Sequence, residues 1–65
     1  MGALSLEKVY ELLGTTEIPG NDTELRALCI RMSELRDLNG ERWIRENRSM
    51  LIEQWRQVVD LRTIR

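Results

Sequence analysis

A chain of 65 residues has room for one domain, near the lower size at which a single core holds without disulfides, metal or a second chain. Charged residues make up 32% and hydrophobic ones 42%, with a formal net charge of −1, a composition that excludes both a disordered tail and a surface coated for polyanions. The charge is uneven: residues 1–35 carry three basic and six acidic side chains, and residues 36–65 carry seven and five.

Nine of the ten basic residues are arginine, whose planar fork suits fixed contacts to carboxylates or phosphates. A surface laced with ion pairs is the plainest account of them. Cys29 is the only cysteine, so no disulfide forms within the chain, and the N-terminus has no basic stretch leading into a long apolar run. A cytoplasmic protein is expected. Two glycosylation sequons, Asn21-Asp22-Thr23 and Asn47-Arg48-Ser49, then count as chance matches.

The first helix is expected over residues 5–13. Ser5 is placed to cap it, Glu7 complements the positive end of its dipole, and Leu4 and Val9 stand at the two positions of a hydrophobic staple. Leu6, Val9, Tyr10 and Leu13 recur at helical spacing, and Gly14 supplies the left-handed residue that ends the helix. Pro19-Gly20 then predicts a tight turn, most naturally type II with Gly20 at the positive-φ position.

A second helix is expected over residues 23–38, capped by Asn21 or Asp22 in a string with capping-box spacing. Leu25, Leu28, Cys29, Met32 and Leu35 share one face, while Ala27, Ile30 and Leu38 point elsewhere. Such a helix sits between two neighbours. Asn39-Gly40 reads as a helix stop that turns the chain into an antiparallel helical hairpin, with Leu38 and Trp43 at staple positions if Asn39 caps the next helix. A single helix kinked at Gly40 is the alternative, because glycine inside a helix costs only about 1 kcal/mol.

The third helix is expected to run unbroken over residues 41–64. At about 100° per residue, Trp43, Ile44, Met50, Leu51, Trp55, Val58 and Leu61 make a wide apolar face. Glu46, Glu53 and Asp60 fall on the far side, and Arg45, Arg48 and Arg56 lie between, sharing their flank with Ile52 and Val59. A helix of that length spans about 36 Å against about 24 Å for the second helix, which leaves about 12 Å of apolar face over Val58, Leu61 and Ile64 to be covered. Either the first helix folds back over that end or a second chain covers it, giving a dimeric helical bundle. Asn47 and Gln54, one heptad apart near the stripe, either fix register between two chains or sit half solvated at its edge.

Catalysis is not expected. The chain has no histidine, no serine with an evident activating partner, and a cysteine on an apolar face. Glu46, Glu53 and Asp60 are each about 10 Å apart along the axis, too far to chelate one metal, so neither metal nor cofactor is expected. Nucleic-acid binding is the competing reading, because a helix, a turn at Asn39-Gly40 and a second helix bearing Arg42, Arg45 and Arg48 have the outline of a helix-turn-helix. Glu41 and Glu46 interleave those arginines and count against it. Trp43 and Trp55 beside arginine suit an interfacial membrane helix as well, yet core tryptophan accounts for them better.

The sequence therefore predicts an all-α protein: a short N-terminal helix, then an antiparallel hairpin with a long C-terminal helix. The expected function is a noncatalytic protein–protein interaction or regulatory module, self-associating as a homodimer. Ile52, Trp55, Val58, Val59 and Leu61 are expected to carry association, with Arg45, Arg48 and Arg56 at its rim.

Overall fold

The computed structural model describes residues 3–63, which form four α-helices and no strand: α1 (Leu6–Leu13), α2 (Asp22–Asn39), α3 (Glu41–Glu46) and α4 (Arg48–Thr63). Ser5 caps α1, its Oγ accepting from the Lys8 amide at 3.1 Å, and Gly14 closes it at φ 74°, its amide donating to the Tyr10 carbonyl. At Asn21 both halves of a capping box are made, because Oδ1 accepts from the Glu24 amide at 2.8 Å and the Glu24 carboxylate accepts from the Asn21 amide at 2.9 Å.

Between α1 and α2 the chain bends at Thr16, and the Thr15 hydroxyl accepts from the Glu17 amide at 3.0 Å. Pro19-Gly20 makes no tight turn, although Gly20 does stand at a positive φ of 137°. The turn and the bend of this segment fall at Gly14 and Thr16, and the Pro19 carbonyl is engaged by the Trp55 indole. After α2, Gly40 at φ 89° ends one helix and begins the next, its amide donating to the Arg36 carbonyl. No side chain caps α3, and Leu38 is 80% exposed, so the expected staple to Trp43 is not made.

The expected single helix over residues 41–64 is broken at Asn47. Its backbone leaves helical values at φ −116° and ψ 24°, and its amide is shared between the carbonyls of Trp43 and Ile44. The Asn47 side chain donates to the Trp43 carbonyl at 2.8 Å, the local competition with helical bonding that asparagine is prone to. Its own carbonyl accepts from the Leu51 amide and so starts α4 afresh. Asn47 thus works inside the chain as a joint between α3 and α4. Ile64 lies outside the described residues.

The break sends the two halves to different places. Helix α3 packs on α1 and α2, while α4 packs on α1. The core they enclose is Val9, Leu12 and Leu13 of α1, Ile18, Leu28, Cys29 and Met32 around α2, Ile44 of α3, and Leu51, Trp55 and Val59 of α4. Leu12, outside the stripe expected for the first helix, is fully buried, so that stripe is turned toward Leu12. In α4 the buried line runs Leu51, Trp55, Val59, with Met50, Val58 and Leu61 left outside it.

Candidate functional site

The residues expected to carry association divide into two groups, one held within the protomer and one facing out. Trp55 and Val59 belong to the core at 6% and 8% exposure, and the Trp55 indole donates to the Pro19 carbonyl at 2.8 Å. Ile52 is half-buried against the same core. Arg48 lies along the end of α1, with Nε donating to the Leu12 carbonyl at 2.7 Å and Nη2 to the Glu11 carbonyl at 3.3 Å. It thereby occupies acceptors that a helix C-terminus leaves without intrahelical partners.

Arg45 closes a ring of alternating charge between α1 and α3. Lys8 pairs with Glu11 at 3.1 Å and with Glu41 at 3.3 Å, and Arg45 pairs with the same two carboxylates, contacting Glu11 through Nη1 and Glu41 through Nη2 at 3.6 Å. The Arg45 guanidinium first, and the Lys8 ammonium second, hold the Glu11 carboxyl at about 2, below its ordinary 4.5. The same hydrogen bonds raise Lys8 and Arg45 above their ordinary values. Arg42 pairs with Glu46 one turn on, at 3.2 Å. The arginines that gave the helix-turn-helix outline are thus engaged by this chain's own carboxylates and carbonyls.

Burial pushes the Cys29 thiol up, favouring its protonated form. Among the described residues no three His, Cys, Asp or Glu side chains are grouped to hold a metal ion, and no helix is long and apolar enough to cross a membrane.

Arg56, Val58 and Leu61 face outward. They do not share a face, because two residues along a helix turn about 200°, which puts Arg56 almost opposite Val58. Arg56 stands with Glu53 and Asp60 on the charged side, while Val58 and Leu61 join Met50, Gln54 and Gln57 on the other. Leu61 is 74% exposed, Met50 41% and Val58 36%. Where α4 faces α2, Ala27, Arg31, Gln54, Trp55 and Val58 line a shallow groove of about 210 Å³, and Ile30 is exposed on the same outer side of α2.

Sequence reasoning missed Met50 as a surface residue and gave Gln57 no part. The signal for both is a sector of α4 without charge, at residues 50, 54, 57, 58 and 61, which stands apart from the buried line once the helix is taken to start at Arg48. Arg48 as the partner of the α1 terminus has no local signal, because the contact spans 36 residues. Set against known proteins, the chain matches no family model, no curated protein and no solved structure, so its function is argued from these residues alone.

Proposed function

We propose that the chain is a noncatalytic protein–protein interaction or regulatory module of the cytoplasm, self-associating as a homodimer through its C-terminal helix. Each copy contributes its hairpin of α2 and the helices after Gly40 to a dimeric helical bundle. One observation carries this reading: α4 has a second, outward apolar side, with Leu61 74% exposed beside Val58 and Met50, in addition to the line it buries in its own core. A monomer of this size gains nothing from a charge-free stripe in water, whereas clustered exposed apolar groups mark contact sites.

Support for contact with protein over nucleic acid comes from the arginines. Arg42, Arg45 and Arg48 hold internal partners, and a phosphate would have to displace them. Light scattering at tens of micromolar is the test. The expected mass is that of two 7.7-kDa chains, falling to one chain in Leu61→Glu with helical circular dichroism unchanged. A parent chain that stays at one mass throughout overturns the proposal.

A further inference from the structure

We draw no further inference here: the strongest candidate, the shallow groove that Val58 and Gln54 of α4 share with Ala27 and Arg31 of α2, with the exposed Ile30 beside it, carries nothing beyond the self-association proposed above, because nothing in the structure shows what covers it.

Discussion

Replacing Arg48 by alanine removes two donors at once from the end of α1, where the Leu12 and Glu11 carbonyls accept its guanidinium. Hydrogen bonds from a charged donor are worth about 1.5–3 kcal/mol, so a loss of about 2 kcal/mol in urea unfolding is expected. Lysine at the same place recovers only part of it, because an ammonium lacks the fork that meets both carbonyls. Gly14 is coupled to this contact. It sits at φ 74°, where a side chain costs about 1–2 kcal/mol, and an added Cβ would lie 3.0 Å from the Arg48 guanidinium carbon. Gly14→Ala is therefore expected to cost less in an Arg48→Ala background than in the parent, with the difference read from a double-mutant cycle. The Glu11 carboxyl, held at about 2 in the folded chain, gives a second test. Its folded value lies below its unfolded one, so its contribution is fully present above about 4.5 and is lost as pH falls through about 2. Glu11→Gln should lower the urea midpoint at pH 6 and converge on the parent near pH 2. Because the ring is exposed, added salt should narrow the gap.

The break at Asn47 decides what α3 and α4 can do as elements. With α4 starting at Arg48, the amide of Ser49 is among those that open a helix without an internal partner, so proline there loses no helical bond. Ser49→Pro is expected to cost well under the about 3 kcal/mol of a mid-helix proline, the remainder reflecting the restraint it puts on Arg48, while Glu53→Pro costs the full amount. Chemical unfolding of the two variants tells a joint from a continuous helix, in which the two costs would be alike. Elements of this fold are legible in sequence where their cause is local: Ser5 and Gly14 at the ends of α1, Asn21 with Glu24, and Gly40 after α2 all act within a few residues of themselves. Asn47 was visible as a polar residue near a stripe, but its choice of the Trp43 carbonyl over helical continuation depends on where Ile44 and Leu51 must bury. Projected as one helix, residues 41–64 merge an inward line and an outward one into a single broad apolar face. Trp55 and Val59, expected to carry association, are buried in the core of the protomer, and that face does not separate them from the outward Met50, Val58 and Leu61.

At the scale of the whole molecule the question is whether one copy stands alone. Its radius of gyration is 11.3 Å, close to the about 11 Å of a compact chain of this length. Among the described residues, eleven buried apolar side chains, drawn from all four helices and the α1–α2 segment, make one core within a single chain. The dimerisation proposed for the outer side of α4 would then join folded protomers rather than complete an unfinished one. The two cases differ in how stability answers to concentration. A contact formed only by folded chains adds to stability by mass action, so the parent's melting temperature should rise across a hundredfold range of concentration. In Leu61→Glu, a carboxylate replaces the most exposed apolar group of α4, and the melting temperature should lose that dependence while remaining a single cooperative transition. A variant that unfolds outright would mean that the second copy supplies part of the core. A parent whose melting temperature is flat with concentration would place its exposed apolar stripe outside self-association altogether.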